Sequence, residues 1–173
     1  MTMTRALAPN LAIRAVEPSD LPAISALHKA AFGPGRFART AYRVREGTAE
    51  TTPHCRAAFL GDRLVAALRM TEVTVAGRPG ALLLGPVAVA PDLKGNGYGR
   101  ALIKSAIDAA RGAGKSLVVL VGDVSYYGRF GFASALPNRL SLPGPVDPAR
   151  ILVLELQPES LAGFAGPITA SPS

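Results

Sequence analysis

The stretch from Ala81 to Val121 constrains the fold more than any other part of the chain. It opens with an apolar run, Ala81 to Ala90, broken by Gly85 and Pro86 and bounded by Pro91. A glycine cluster follows, Lys94-Gly95-Asn96-Gly97-Tyr98-Gly99-Arg100, and then Leu102, Ile103, Ala106, Ile107 and Ala110 recur at helical spacing. That pattern stops near Gly112 to Gly114, and Ser116 to Val121 is a second apolar run. Both runs read as buried strands. A helix between them makes a crossover, so the strands are expected to pair in parallel. Pro86 has no N–H to give a ladder, and a bulge or a splayed edge is expected there.

Around this unit the chain reads as further strands and helices. Residues 1–10 have no periodicity and are expected to be a flexible tail. Leu11 to Ala15 reads as a first strand. Ser19-Asp20 offers a cap for a helix carrying Leu21, Ile24, Leu27 and Ala31, which the breakers Gly33-Pro34-Gly35 should end. Residues 36–47 suggest a short helix. Arg56 to Leu60 and Leu64 to Met70 flank a hairpin turn at Gly61-Asp62-Arg63, and Gly77 to Gly80 reads as the next turn. Ser125 to Phe130 suggests a short helix, and Ile151 to Leu156 a closing strand. One domain over residues 11–162 is expected, with a loose tail over 163–173.

Composition narrows the chemistry. A single cysteine, Cys55, allows no intrachain disulfide, and two histidines, His28 and His54, leave little for a metal site, so none is expected. No apolar tract reaches the roughly 18 residues of a membrane span, and no secretory apolar segment follows Arg5. The expectation is a cytoplasmic protein that does not bind membranes. Its net charge is +7, but the basic residues are scattered without a dense block, which argues against nucleic acid as partner.

The glycine cluster stands between a strand and a helix. In that position it can do one of two things: permit a tight turn, or let backbone N–H groups and the helix N-terminus converge on an anion such as a pyrophosphate. Lys94 and Arg100 would add charge there. The spacing fits neither the Walker loop nor the dinucleotide fingerprint.

Leu84-Gly85-Pro86-Val87-Ala88-Val89-Ala90-Pro91, followed by Lys94-x-x-Gly97-x-Gly99, resembles the acetyl-CoA motif of the GNAT superfamily. Lys94 replaces the family's usual Gln or Arg. Tyr127-Gly128-Arg129-Phe130-Gly131-Phe132 resembles the family's Tyr-x-x-x-Gly-Phe segment, and Val121-Gly122-Asp123 with Tyr126-Tyr127 looks most like the bacterial YhbS-type branch. The resemblance implies an α/β (α+β) GNAT fold: a mixed central sheet of about six to seven strands, a splayed fourth and fifth, and about four helices.

It implies an acetyl-CoA-dependent N-acetyltransferase that lets a primary amine of a small molecule or protein attack the thioester directly. Pro86, Val87, Ala88 and Val89 would hold the pantetheine. Lys94, Gly95, Asn96, Gly97, Tyr98, Gly99 and Arg100 would hold the diphosphate, with Asp123, Tyr126, Tyr127 and Phe130 completing the CoA site. Tyr127, or Tyr126 one register away, would protonate the leaving thiolate. Glu72 and Asp123 are the candidate bases, though each also reads as a surface or turn carboxylate. Phe32, Arg36, Phe37 and Tyr42 would line the acceptor side, unless that stretch is only a solvated helix. A homodimer is compatible with the resemblance. The competing reading is a CoA-binding regulatory module whose catalysis has decayed, because Leu82 to Ala90 carries no acid.

Overall fold

The computed structural model describes residues 10–32, 51–136, 140–143 and 146–171. The segment expected to hold a short helix at 36–47 and the acceptor residues Arg36, Phe37 and Tyr42 lies outside them, as does nearly all of the N-terminal stretch.

Five strands follow one another across the sheet: β1 (Leu11–Ala15), β2 (Arg56–Leu60), β3 (Arg63–Val75), β4 (Arg78–Val89) and β5 (Leu117–Val121). β1 to β4 run antiparallel, and β4 and β5 are parallel, as the crossover requires. β8 (Ile151–Glu155) pairs antiparallel with β5 and carries the two-residue β6 (Ala133–Ser134) on its other edge. Two-residue turns close the hairpins. Ala76 and Gly77, at φ 50° and 83°, join β3 to β4, so the strand begins at Arg78, earlier than the expected Gly77 to Gly80 turn allowed.

β4 and β5 are apolar at every position of their pairing because both faces are covered. Leu82, Leu84, Val118 and Leu120 join one cluster with Leu102, Ile103, Ala106, Ile107 and Ala110 of the crossover helix α2 (Tyr98–Gly112). Ala81, Leu83, Leu117 and Val119 join another with Phe164 and Ile168. Leu102 and Ile103 are 0% and 1% exposed, each contributing about 1.5–3 kcal/mol of burial. The first helix, α1 (Leu21–Phe32), packs Leu27 against Ala67, Ala88 and Ala90. Its entry is fixed by Asp20, whose carboxylate accepts from the Glu17 backbone N–H at 2.8 Å and from the Arg14 guanidinium at 2.7 and 2.8 Å.

The sheet departs from expectation at its far end. Residues expected to form a loose tail include β9 (Gly166–Ala170), which pairs antiparallel with Val73 to Val75 of β3 and parallel with β7 (Leu140–Ser141). Phe164 and Ile168, each 1% exposed, hold it down. The described residues therefore form nine strands, more than the six or seven expected, with three α-helices including the short α3 (Val124–Tyr127).

Candidate active site

The parallel ladder between β4 and β5 is short. It runs over Ala81↔Leu117, Leu82↔Val118 and Leu83↔Val119 and goes no further. Beyond it β4 stays paired with β3 through Val87↔Leu68, Ala88↔Ala67 and Val89↔Ala66, while β5 stays paired with β8 through Val121↔Ile151. A bulge marks the parting: Gly85 and Pro86 of β4 stand against the single residue Arg69 of β3. The strands thus open into a V, whose β4 arm presents backbone from Gly85 to Val89 toward the gap. Pro86, Val87 and Val89 are half-buried, and Ala88 is buried on the α1 side.

The glycine cluster closes the top of that arm. Gly95 and Gly97 both have φ 85°, the left-handed region that other residues enter at a cost, and Gly97 caps α2. The first i→i−4 bond of α2 runs from the Ala101 N–H to the Gly97 carbonyl at 3.1 Å, so the N–H groups of Tyr98, Gly99 and Arg100 precede the helical ladder. A Cβ on Gly99 would lie 3.5 Å from Val89 Cγ2 and 3.9 Å from Val87 Cγ1, which places the first turn of α2 directly over the open arm of β4. Asn96 donates through Nδ2 to the Leu93 carbonyl at 2.8 Å, and Arg63 forks onto Asp92 at 2.7 and 3.1 Å. The first bond folds the loop, and the second ties its approach to the β2–β3 turn, a link the sequence did not suggest. Lys94 and Arg100 are exposed beside the loop. Tyr98 is not: its ring is buried in the core under α2, leaving only its backbone N–H to face a ligand.

Tyr127 stands on the other arm. β5 ends at Val121; Gly122 and Asp123 follow, and the Asp123 carbonyl accepts from the N–H groups of Tyr126 and Tyr127 at 3.1 and 3.0 Å. The Tyr127 ring sits among Tyr126, Phe132 and Phe130, with centroids at 4.9, 6.0 and 6.5 Å. Burial raises the pKa of its phenol above the ordinary value, and Tyr126 and Asp123 add to the shift. The hydroxyl is therefore a proton donor throughout the neutral range.

The carboxylates are placed unequally. Asp123 lies at this end, exposed and paired with Arg150 Nε at 3.3 Å; it occupies the cap position of α3, but its side chain makes no capping bond. Glu72 is not brought to the site. It stands opposite Leu82 in the closed part of the sheet and pairs with Lys115 Nζ at 2.9 Å. Lys115 follows the far end of α2, whose 15 residues span about 22 Å. Phe32, expected on the acceptor side, is half-buried at the end of α1 beside His28, with ring centroids 5.8 Å apart, and packs toward Ala67, Ala88 and Ala90. Among the described residues, no group of three or more His, Cys, Asp or Glu could hold a metal ion, and no helix is long and apolar enough to cross a membrane.

A parted parallel pair, with a glycine-rich helix start over one arm and a tyrosine on the other, places the chain in a class: it belongs to the acetyltransferase (GNAT) domain family, matched over residues 12–135. Within that family it is 28% identical over 155 residues to the uncharacterized N-acetyltransferase YhbS of Escherichia coli K12, covering 89% of this chain and 92% of the relative. The solved structure of Escherichia coli YhbS in complex with CoA superposes with a TM-score of 0.80 at 26% identity, over 99% of this chain and 94% of that one. A Brucella melitensis GNAT acetyltransferase in complex with acetyl-CoA superposes at 0.71 with 25% identity, over 93% and 96% of the two chains. The likeness to the YhbS-type branch drawn from Val121-Gly122-Asp123 with Tyr126-Tyr127 agrees with these matches.

Proposed function

We propose that the protein moves an acetyl group from acetyl-CoA to a primary amine of a small molecule or protein, by direct attack in a ternary complex. The observation that carries this reading is the coincidence, at one end of the sheet, of the open β4 arm, the leading N–H groups of α2 and the protonated Tyr127. Those N–H groups, with the positive end of the helix dipole, suit the CoA diphosphate. The backbone of Val87 to Val89 suits the pantetheine amides, and Lys94 and Arg100 add charge. The relatives solved with CoA and acetyl-CoA support the same ligand here.

The acceptor ammonium first gives a proton to solvent or to Asp123. Its nitrogen lone pair then attacks the thioester carbonyl carbon, forming the C–N bond and a tetrahedral intermediate. Collapse breaks the C–S bond, and the departing sulfur takes the Tyr127 phenolic proton. The phenolate regains a proton from the nitrogen's surplus through water. The products are the acetamide and free CoA.

A panel of amines incubated with acetyl-CoA tests the proposal through CoA release and a mass gain of one acetyl group on an acceptor. One observation favours a second reading, a CoA-binding module without turnover: β4 carries no acid, and both candidate carboxylates are held in ion pairs. Tight acetyl-CoA binding with no acetylated product across small amines and peptide N-termini would establish that second reading.

A further inference from the structure

Gly122 meets the conditions for a residue chosen by a neighbour's side chain and not by its own backbone. Its φ lies outside the left-handed region, so any residue could adopt its conformation. Its N–H is used, donating to the Arg150 carbonyl at 2.9 Å at the end of the β5–β8 ladder. A Cβ built there would lie 2.6 Å from Tyr127 Cε2, 2.9 Å from Tyr127 Cδ2 and 3.1 Å from Leu120 Cδ1. Real Cβ atoms do not approach that closely, and reaching ordinary contact of about 3.5 Å means moving the ring by about 1 Å. The ring has little freedom to move harmlessly, because Tyr126, Phe130 and Phe132 pack around it.

From this we infer that Gly122 is a positioning residue for the Tyr127 hydroxyl: its missing side chain is the slot in which the ring lies, and this fixes where the phenolic proton is presented across the V. The inference rests on the reading of Tyr127 as proton donor and deepens it. The atoms nearest a Cβ at Gly122 belong to Tyr127 and Leu120, so filling the slot is expected to disturb proton delivery by Tyr127 far more than the hold on the CoA diphosphate.

The test is a double-mutant cycle read in kcat and in KM for acetyl-CoA, using Gly122→Ala, Tyr127→Phe and the pair in the full chain. Gly122→Ala should lower kcat ten- to a hundredfold, the scale of roughly a 1 Å misplacement, with KM for acetyl-CoA within about twofold. In the Tyr127→Phe background the same substitution should change kcat by less than about twofold, because no phenolic proton remains to be misplaced. Equal losses in both backgrounds would mean that Gly122 serves only the fold, and would overturn the inference. Full activity in Gly122→Ala beside a crippled Tyr127→Phe overturns it as well, while leaving Tyr127 as donor. Full activity in Tyr127→Phe removes the donor reading on which the inference depends. Should Gly122→Ala be insoluble, the unmodified protein still decides: a nuclear Overhauser contact between Gly122 Hα and the Tyr127 ring protons is expected, and its absence refutes the slot.

Discussion

The two ends of the β4–β5 pair use the same strands and differ in what their polar groups meet. At the closed end the ladder is complete over Ala81 to Leu83, and the nearby charges are matched by Glu72 with Lys115. His54 is buried beside them, its pKa lowered by burial and by Lys115, so its imidazole is neutral at neutral pH. At the open end, backbone from Gly85 to Val89 leaves the β5 ladder and the first N–H groups of α2 precede the helical one. Backbone groups this close to a core are costly without partners. A fold that leaves them together at one place provides for a ligand there, and a fold that satisfies them provides rigidity.

The largest expected break in this comparison is Tyr127→Phe at the open end. It should lower kcat about a hundredfold, the scale of one general acid, with KM for acetyl-CoA nearly unchanged in steady-state assays. Next comes Gly97→Ala, which places a Cβ at φ 85° in the cap of α2. It should cost about 1–2 kcal/mol of stability, visible in thermal melts, and weaken CoA binding about tenfold in calorimetry.

The closed end should respond only in stability. Because the His54 pKa is lowered on folding, the unfolded chain binds a proton more readily than the native protein. Stability is then full above about pH 6.5 and falls as pH drops below it, and His54→Gln should flatten that slope in melts taken across the range. The smallest effect is expected from Glu72→Gln, whose partly exposed ion pair is worth at most about 1 kcal/mol. Turnover within about twofold of the parent protein would place Glu72 outside the chemistry, and a hundredfold loss would return it as the base.

Much of the open end was legible in the sequence because its determinants are local. Left-handed glycines, a helix N-terminus and a proline bulge all announce themselves within a few residues of Pro86 and Gly97. The two strands were legible because burial on both faces makes them apolar throughout. Long-range contacts left no such trace. β9 is a short strand built on Gly166 and Pro167, residues that read as turn formers, and only Phe164 and Ile168 hint at burial. Gly122 looks like any turn glycine until the Tyr127 ring is seen lying against it. Glu72 was a candidate base because it lies on the strand before the acid-free run Leu82 to Ala90, and a place on that strand does not say which end of the sheet the residue stands at.

The most direct test of the account is to follow backbone amide shifts while acetyl-CoA is titrated into the isotope-labelled protein. The predicted result is large, saturable changes at residues 95–100 and at Val87 to Val89 and Tyr127, with Glu72, His54 and Lys115 silent. Saturable binding that moved the closed end and left the amides of 95–100 in place would contradict it.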